Sequence, residues 1–543
     1  MSESGESAVA GGASLTPMTL LKSILPDSNP PKPAPSAGGT LPDPHVCEQA
    51  RLSRDPRFDG LFFTAVASTR IYCRPVCPAP WAKRVTYFAN AAAAEAAGFR
   101  PCLRCRPELS PDDGIWRRGD AVVARALKLI DQGALDEQPL AALARRVDIG
   151  ERQLRRLFVE RLGAPPIGVH GTRRLLFAKQ LLTETTLPIT EVALAAGFGS
   201  LRRFNASFRD AYRMAPRDLR RRPIVTHGAQ AGESLTLRLG YRPPYDFAAM
   251  LAFLRGRALP GVEVVDDDSY ARVVAPTGRH ADETAGWLRV AAWPGGEHAL
   301  KLELHGLRSS RLLEVVHKLR RMFDLDAEPV TISAALSECP RLQPLLQRSP
   351  GLRLPSGWDG FEIAVRAILG QQVSVAAART LAARLAARFG EALPLANAAP
   401  GLDHLFPTPE VLAEADLGSI GLTRARAETV RAMARALLDG DVDFQVERTL
   451  EDFTARWIAL PGIGPWTAHY IAMRALGHPD AFPADDLVLQ KAVPLDGSRL
   501  SAKALTARAE AWRPWRAYAV IHLWRDSMTA PKHTTTALPR IAA

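Results

Sequence analysis

The chain has 543 residues, of which 47% are hydrophobic, and it carries a formal net charge of +12 with an isoelectric point near 9.7. This length exceeds what one hydrophobic core normally covers, so about three or four domains are expected. The absence of any apolar run of about 18 residues argues against a membrane span, and no basic region precedes an apolar stretch as in a signal peptide. The positive charge favours a nucleic-acid partner, and we expect a cytoplasmic, nucleoid-associated protein without a membrane partner.

Two short-spaced cysteine pairs stand near the N-terminus: Cys73 with Cys77, and Cys102 with Cys105. Gly60–Val66 before the first pair is predicted to be a strand, with residues 71–75 as its continuation and residues 98–105 as a knuckle. Such spacing predicts one tetrahedral Zn²⁺ held by four thiolates, in a small α+β domain. The arginines around the sulfurs indicate an anionic partner.

The spacing leaves open whether this zinc site only holds the fold or is itself reactive, since most all-cysteine sites are structural. The stretches CRPVC at 73–77 and GFRPCLRC at 98–105 resemble the N-terminal domain of Ada-type methyl-phosphotriester DNA repair and response proteins. In that family the zinc site is the methyl acceptor, and the resemblance places the acceptor at Cys73. Methylation of a thiolate removes one negative charge from the site and so lessens its repulsion of DNA phosphates.

A strongly basic segment follows, with 17 Arg and Lys against 7 Asp and Glu between Ala141 and Arg222. Apolar residues at helical spacing predict two short helices broken at residues 148–150, and a similar half follows over residues 189–208. The pattern alone is also typical of a helical bundle whose basic side chains are simply exposed to solvent. Two copies with arginine-rich second helices favour an all-α, double helix-turn-helix domain that binds DNA.

The two halves, above all AGFGSLRRFNASFRDAYRMAP at 196–216, resemble the AraC/XylS-type DNA-binding domain. That family places one recognition helix of each half into successive major grooves of double-stranded DNA. The candidate contacts are Arg152, Gln153, Arg155 and Arg156 in the first half, and Ser200, Arg202, Arg203 and Asn205 in the second. Which of them reach base edges rather than phosphates is left open. As part of a transcription activator, this domain would also contact RNA polymerase.

The C-terminal half begins with a predicted strand at Leu235–Leu239 and a predicted helix from Phe247 to Arg257. We interpret this region as a small α+β domain that serves packing rather than chemistry. After Gly360 the chain is predicted to be helical to about Asp526.

Within the helical region, Leu460–Ala468 contains a Gly-x-Gly hairpin between two helices. Gly462 and Gly464 permit positive φ angles and let the backbone approach a DNA phosphate, and the free N–H groups of the second helix would point at that anion. An ordinary corner between two helices is the alternative. The full stretch LPGIGPWTA is the helix-hairpin-helix signature.

An acidic pair, Asp485 and Asp486, begins a predicted helix downstream of the hairpin. Taken alone, such a pair is most simply a helix N-cap. Asp486, however, follows Trp466 by 20 positions, the offset at which helix-hairpin-helix glycosylases carry their essential aspartate. The resemblance therefore maps the catalytic residue to Asp486.

From about residue 235 to 526 the chain resembles 3-methyladenine DNA glycosylase II, the AlkA type, through stretches such as YRPPYDFAAMLAFLRGRA, LPGIGPWTAHYIAMRA and FPADDLVLQ. The resemblance implies hydrolysis of the N-glycosidic bond of alkylated purines such as 3-methyladenine, with Asp486 stabilising an oxocarbenium-like transition state. Relatives that also cut the strand carry a lysine where this chain has Trp466, so no lyase activity is expected.

The same resemblance implies a base pocket built from four side chains: Trp466, Tyr470, Trp524 and Gln371. Gln372 stands at the intercalating position, where better-known enzymes have leucine, and Arg525 stands where they have tyrosine. Both departures leave the efficiency of base flipping and the lesion preference open. Hairpin carbonyls in this family often bind a sodium or potassium ion, which implies such an ion here.

Composition shifts and motifs together predict a multidomain fold. Its boundaries are a disordered segment over 1–40, the zinc domain over 41–118, the double helix-turn-helix domain over 119–222, a linker over 223–234, the α+β domain over 235–350, the all-α hairpin domain over 351–528 and a disordered tail over 529–543.

Three hypotheses follow. The first is a monomeric alkylation-response protein that combines a zinc methyl acceptor, a transcription activator and a glycosylase. The second is an activator whose glycosylase domain is only a DNA clamp, against which the intact Asp486 argues. The third, a structural zinc-ribbon nucleoid protein, does not explain the hairpin and aspartate together. No Pro-Cys-His-Arg motif occurs, so repair of O6-methylguanine is not expected.

Overall fold

A computed structural model describes residues 41–80, 82–111, 121–131, 133–136, 138–220, 234–276, 283–393, 399–444, 449–494 and 498–529. The predicted disordered segment 1–40, and most of the predicted linker and tail, lie outside the described residues. Ser234, which the sequence places in the linker, is the first residue of a strand. Across the part of the chain that is described, every helix is too short or too polar to cross a membrane.

The four cysteines belong to a small α+β domain whose elements are α1 (Pro44–Ser53), β1 (Phe63–Val66), β2 (Ile71–Cys73), β3 (Val85–Phe88), α2 (Ala91–Ala96) and β4 (Arg100–Pro101). The sheet order is β3-β1-β2-β4. The prediction that residues 71–75 continue the first strand is wrong, because the chain turns at Arg70, whose φ is 54°, and β2 runs antiparallel to β1. β4 pairs in parallel with β2, and this pairing brings the two cysteine pairs together.

The basic segment folds into the helices α3 (Ala121–Asp131), α4 (Leu140–Arg146), α5 (Glu151–Leu162), α6 (Pro166–Glu184), α7 (Ile189–Ala195), α8 (Leu201–Tyr212) and α9 (Pro216–Arg220). The two predicted helix-turn-helix pairs are α4–α5 and α7–α8, and the long helix α6 connects them. Phe158 of α5 and Phe204 and Phe208 of α8 are fully buried. Each second helix therefore packs through one apolar face and leaves its polar face exposed.

The third domain contains β5 (Ser234–Gly240), α10 (Phe247–Arg255), β6 (Glu263–Val265), β7 (Ser269–Val274), β8 (Gly286–Ala292), β9 (Ala299–His305), α11 (Leu312–Met322), α12 (Pro329–Ser337) and α13 (Gln343–Arg348). Its strands form an antiparallel sheet of order β5-β9-β8-β7-β6. Alternate residues such as Leu237, Leu288 and Leu302 are fully buried, as the period of two in a strand requires.

The remaining helices are α14 (Gly360–Leu369), α15 (Val375–Phe389), α16 (Pro409–Glu414), α17 (Arg424–Asp439), α18 (Leu450–Ile458), α19 (Pro465–Ala475), α20 (Leu487–Ala492), α21 (Ala502–Ala509) and α22 (Arg516–Thr529). α19 packs against both α14 and α18. Ala364, Ala468 and Ala472 are fully buried, and their small side chains allow close helix packing. The predicted fold class, with two α+β and two all-α parts, is confirmed.

Buried ion pairs join the five-stranded sheet to the helical domain. Glu362 of α14 pairs with Arg272 of β7 at 2.9 Å and with Arg366 at 2.7 Å, and Arg366 also reaches Glu263 at 3.1 Å. Burial acts to raise the pKa of the Glu362 carboxyl, but the guanidiniums of Arg272 and Arg366 outweigh burial and hold that pKa below its usual value.

Replacing Glu362 with alanine should lower the free energy of unfolding by about 3–5 kcal/mol, because two guanidiniums would lose their buried carboxylate. Urea unfolding followed by tryptophan fluorescence measures this change. Glu410→Ala, at an exposed site of the same domain, is the matched control and should change the free energy of unfolding by less than about 1 kcal/mol. Equal losses in the two variants would contradict the role given to Glu362.

Candidate active sites and DNA-binding surfaces

Four sulfurs meet where β2 and the turn after β4 come together. All four Sγ atoms lie within 4.8 Å of one another, and they belong to Cys73, Cys77, Cys102 and Cys105. Sulfurs held about 2.3 Å from one zinc ion, at the corners of a tetrahedron, lie about 3.8 Å apart. The four residues therefore fit a single Zn²⁺. The backbone N–H of Arg74 donates to the Cys105 sulfur and that of Arg104 to the Cys102 sulfur, each at 3.3 Å, which stabilises thiolates.

The four cysteines differ in their access to solvent. Cys102 and Cys105 are buried, with 7% and 6% of their surface exposed, whereas Cys73 and Cys77 are partly exposed. A second molecule can therefore approach the first pair and not the second. Exposure alone does not choose between Cys73 and Cys77.

Two arginines beside the sulfurs have partners within the protein. Arg74 donates to the Asp59 carboxylate at 2.9 Å and to the Cys105 carbonyl at 3.0 Å. Arg106 pairs with Glu108 at 3.1 Å and with Glu184 at 2.8 Å. Acidic groups of the protein itself therefore hold these two arginines. The expectation of an anionic partner outside the protein stays a prediction, and Arg104 is exposed to meet such a partner.

The candidate contacts of the first recognition helix, α5, lie on its outer face. Arg152, Arg155 and Arg156 are all exposed. Arg155 pairs with Glu151 at 2.7 Å and Arg156 with Glu160 at 3.6 Å. Exposed pairs of this kind contribute at most about 1 kcal/mol, so both arginines remain available to a phosphate or a base.

The second recognition helix, α8, presents a similar surface. Arg202 and Arg203 are exposed, and Asn205 is half-buried. Ser200 caps the helix, since its hydroxyl accepts a hydrogen bond from the Arg203 N–H at 3.4 Å. Ser200 therefore has a structural role in addition to the contact predicted for it.

The hairpin between α18 and α19 has one glycine in the left-handed region. Gly462 has a φ of 82°, and a Cβ there would lie 2.1 Å from the Thr429 hydroxyl oxygen. Gly464 has a φ of −94° and is the N-cap of α19. Of the two glycines that permit a positive φ, only Gly462 adopts one. Pro461 and Gly462 at the tip are exposed, which leaves the hairpin backbone open to a ligand.

Asp486 is both a helix N-cap and a neighbour of the predicted base pocket. Its Oδ1 accepts from the N–H groups of Val488 at 2.9 Å and Leu489 at 3.1 Å, at the start of α20. Its Oδ2 accepts from the indole Nε1–H of Trp466 at 3.1 Å. The cap interpretation and the catalytic interpretation thus describe one side chain. Asp485 is exposed.

Three aromatic side chains form a wall beside Asp486. The rings of Trp466 and Tyr470 are stacked, with centroids 5.1 Å apart and planes at 20°, and the Trp524 ring lies 6.3 Å from Tyr470. Trp524 is buried, while the other two rings are partly exposed. The structure thus brings together three of the four residues predicted for the base pocket.

Gln371, the fourth residue, contacts the hairpin. Its Nε2 donates to the Gly462 carbonyl at 2.9 Å and to the Thr467 hydroxyl at 3.0 Å. This amide therefore holds the hairpin against the end of α14. Gln372 follows at the exposed turn between α14 and α15, with a φ of 56°. Arg525 donates to Asp246 at 3.0 Å and so connects α22 to the start of α10.

Two arginines that the sequence did not indicate lie beneath Tyr470. Arg474 is buried and its NH1 donates to the Tyr470 hydroxyl at 3.0 Å, and the charge of Arg257 also acts on Tyr470. Burial acts to raise the pKa of the Tyr470 phenol, but the guanidiniums of Arg474, Arg257 and Arg366 outweigh it and lower that pKa. The spacing of Tyr470 and Arg474 by one helical turn was the only local signal of this contact.

Comparison with known proteins matches four families along the chain. The metal binding domain of Ada matches residues 46–108, a helix-turn-helix domain 143–222, the AlkA N-terminal domain 236–359, and the HhH-GPD superfamily of base excision DNA repair proteins 365–517.

Three relatives cover different parts of the chain. A probable bifunctional transcriptional activator/DNA repair enzyme AlkA of Mycobacterium tuberculosis is 40% identical over 485 residues, which are 88% of this chain and 95% of the relative. DNA-3-methyladenine glycosylase 2 of Escherichia coli is 37% identical over 290 residues, 53% of this chain and 95% of the relative. The bifunctional transcriptional activator/DNA repair enzyme Ada of Escherichia coli is 39% identical over 154 residues, 28% of this chain and 41% of the relative.

A four-thiolate zinc centre, a double helix-turn-helix domain and a helix-hairpin-helix domain with an aspartate beside an aromatic wall define a class of protein. They are the parts of a base-excision DNA repair protein joined to a DNA-binding regulator. With 40% identity along nearly the whole of the Mycobacterium tuberculosis relative, the chain belongs to the family of bifunctional transcriptional activators and DNA repair enzymes of the AlkA type.

The two hairpin glycines should respond differently to a methyl group. Gly462→Ala should lower the free energy of unfolding by at least about 2 kcal/mol, because alanine is strained at positive φ and its Cβ would overlap Thr429. Gly464→Ala should cost less than about 1 kcal/mol, because its φ is ordinary and a Cβ there meets nothing within 4 Å. Urea unfolding of the two variants checks the difference, and a larger loss for Gly464→Ala would contradict the hairpin geometry.

Proposed function

We propose that this chain excises alkylated purines from DNA as a monofunctional glycosylase with Asp486 as its catalytic carboxylate. The observation that carries the proposal is the 3.1 Å hydrogen bond from Trp466 to Asp486, because it joins the carboxylate directly to the aromatic wall. A flipped, cationic purine can stack on the electron-rich faces of Trp466 and Tyr470. The Escherichia coli relative, named a DNA-3-methyladenine glycosylase, supports the same class of lesion.

The proposed reaction needs little more than these groups. Alkylation at N3 or N7 makes the purine cationic, so the bonding electrons of the N-glycosidic bond pass to the base and neutralise it as the bond breaks. The sugar gains oxocarbenium character, which the Asp486 carboxylate stabilises. Water then adds to the anomeric carbon and loses a proton, which leaves an abasic site. Strand cleavage would require an amine nucleophile, and the indole N–H of Trp466 cannot serve as one.

The proposed DNA contacts of this half surround the pocket. The hairpin backbone at Gly462 would hold a phosphate of the lesion strand, without reading sequence. Gln372, at its exposed turn, would enter the duplex in place of the flipped base. A sodium or potassium ion would bind hairpin carbonyls and favour the same phosphate.

Asp486→Asn should abolish excision of 3-methyladenine from alkylated DNA, with a loss of at least about 100-fold in kcat. Asparagine is also a good N-cap, so the fold should be kept while the negative charge is lost. Release of the free base, measured by chromatography, tests the change. Asp485→Asn, at the exposed neighbour, should behave as wild type. If Asp486→Asn releases base as fast as wild type, the catalytic assignment fails; if neither protein releases base, the domain is only a DNA clamp.

We also propose that the zinc centre accepts methyl groups from methyl phosphotriesters, with Cys73 as the acceptor. Bound zinc keeps the four thiols ionised and electron-rich. The Cys73 sulfur attacks the methyl carbon in line, a C–S bond forms, and the methyl C–O bond breaks with its electrons on the phosphate oxygen. The DNA regains an ordinary phosphodiester. Burial of Cys102 and Cys105 favours an acceptor in the first pair, and the resemblance to the Ada-type domain selects Cys73.

The resulting thioether would act as a switch for transcription. One negative charge is lost close to DNA, so the affinity for promoter sites should rise. Exposed arginines of α5 and α8 would make the groove contacts, in a monomeric protein that also contacts RNA polymerase.

Incubation with methyl-phosphotriester DNA should add about 14 Da, one CH₂, to one cysteine per molecule. Fragmentation mass spectrometry of the peptide that spans Cys73 and Cys77 locates the adduct in the wild-type protein, so no variant has to fold. We expect it on Cys73. An adduct on Cys77 would reassign the acceptor, and an unmodified peptide with full zinc occupancy would make the centre structural.

A further inference from the structure

We propose that Arg242 docks the zinc domain onto the glycosylase half, so that loss of metal from the four-cysteine centre loosens the helix that carries Trp524. Arg242 lies in the loop between β5 and α10, whereas the cysteines are in the first domain. The coupling concerns the protein's own packing. Only its effect on base release rests on the glycosylase function proposed above.

Arg242 is fully buried between two domains. On the zinc-domain side its guanidinium donates to the Asp59 carbonyl at 2.7 Å and to the Pro111 carbonyl at 3.3 Å. On the other side it donates to the Asp326 carbonyl at 2.6 Å, in the loop after α11. A single rigid fork of N–H donors thus fixes the separation of three backbone segments.

The backbones at this contact approach too closely to admit side chains. A Cβ at Gly240, at the end of β5, would lie 2.2 Å from the Leu109 carbonyl oxygen of the zinc domain. A Cβ at Gly60, in the zinc domain, would lie 2.9 Å from the Arg242 guanidinium, and Gly60 has a φ of 76°. A side chain at either glycine would therefore push the two domains apart, as expected at a specific docking contact.

The zinc centre reaches Arg242 through Asp59. The Asp59 carboxylate accepts a hydrogen bond from the Arg74 guanidinium. The backbone N–H of Arg74 donates to the Cys105 sulfur at 3.3 Å. Asp59 is therefore linked to the metal centre by its side chain, through Arg74, and to Arg242 by its carbonyl. Because a four-thiolate centre is ordered by its metal, removal of the metal frees Cys105 and with it Arg74 and Asp59.

A chain of hydrogen bonds leads from Arg242 through the glycosylase half toward the base pocket. Arg353 donates to the Arg242 carbonyl and to the Asp324 carbonyl. The Asp324 carboxylate accepts from the Leu354 N–H at 3.0 Å and from the Tyr518 hydroxyl at 2.9 Å. Tyr518 lies on α22, the helix that carries Trp524 of the aromatic wall. Every residue of this route is buried or partly buried, so it is little screened by solvent.

Helix α6 provides a second support for the docked position. Lys179 donates to the Cys102 carbonyl at 3.1 Å and pairs with Glu108, and the next residue, Gln180, donates to the Arg238 carbonyl of β5 at 2.8 Å. One helix thus contacts the zinc knuckle and the five-stranded sheet. The zinc domain is a packed part of the glycosylase half rather than a tethered module.

Hydrogen exchange of the full chain, with and without a zinc chelator, tests the proposal, and mass spectrometry confirms zinc loss. In wild type, chelation should speed amide exchange about tenfold or more over residues 322–326 and 516–529, the change expected when a hydrogen bond to a charged group is lost. Faster exchange confined to residues 41–111 would overturn the proposal. This wild-type result decides the matter even if no variant folds.

Arg242→Lys keeps the charge but cannot reach all three carbonyls, so its exchange over 516–529 should already be fast and should not rise further on chelation. Arg255→Lys, at an exposed position of α10, should behave as wild type. A further rise in Arg242→Lys as large as in wild type would overturn the role of Arg242. Base release, measured in parallel, should fall several-fold on chelation; absent release by zinc-loaded wild type would refute the glycosylase proposal and leave the exchange result standing.

Discussion

Buried guanidinium groups determine how the parts of this protein fit together. A guanidinium keeps its charge and five N–H donors, so each one taken out of water needs acceptors in a fixed geometry. Arg272 pairs with Glu362, Arg74 pairs with Asp59, and Arg242 donates to backbone carbonyls of two domains. The contacts of Arg272 and Arg242 join segments that are distant in the sequence. In a chain with a net charge of +12, buried arginines thus connect domains, and exposed arginines of α5 and α8 are proposed to bind DNA.

The catalytic role proposed for Asp486 is compatible with its structural role as a helix cap. A carboxylate that stabilises a short-lived positive charge must be oriented before the reaction begins. The N–H groups at the start of α20 and the indole of Trp466 supply that orientation, and the same donors satisfy the helix terminus. A helix N-terminus is therefore a suitable position for a catalytic carboxylate, because its N–H groups fix the orientation of the charged group.

The features that could be predicted from the sequence have local signals. Cysteine spacing predicts the zinc site, and apolar residues such as Phe204 and Phe208 at helical spacing predict the helix-turn-helix core. The sequence could not distinguish Gly462 from Gly464, because glycine occurs both in left-handed turns and as a helix N-cap, and only the backbone conformation separates the two. An arginine beside a cysteine, such as Arg74, suggests a DNA contact, and the sequence does not show that the fold places Asp59 next to it. The contact from Arg242 to Asp59 spans 183 positions and has no local signature at all.

The two proposed repair reactions would differ in turnover, although the domains that carry them are packed together. A thioether on Cys73 is not reversed by any step of the proposed reaction, so that centre would act once, whereas Asp486 would be regenerated in each hydrolysis. Methylation changes one sulfur and leaves the contacts of Asp59 with Arg74 and Arg242 in place. Metal loss removes the order on which those contacts depend. The docking contact would therefore tolerate methylation, the proposed signal for transcription, and respond to metal loss, which is damage to the protein itself. Excision could then continue on a molecule that has already become an activator.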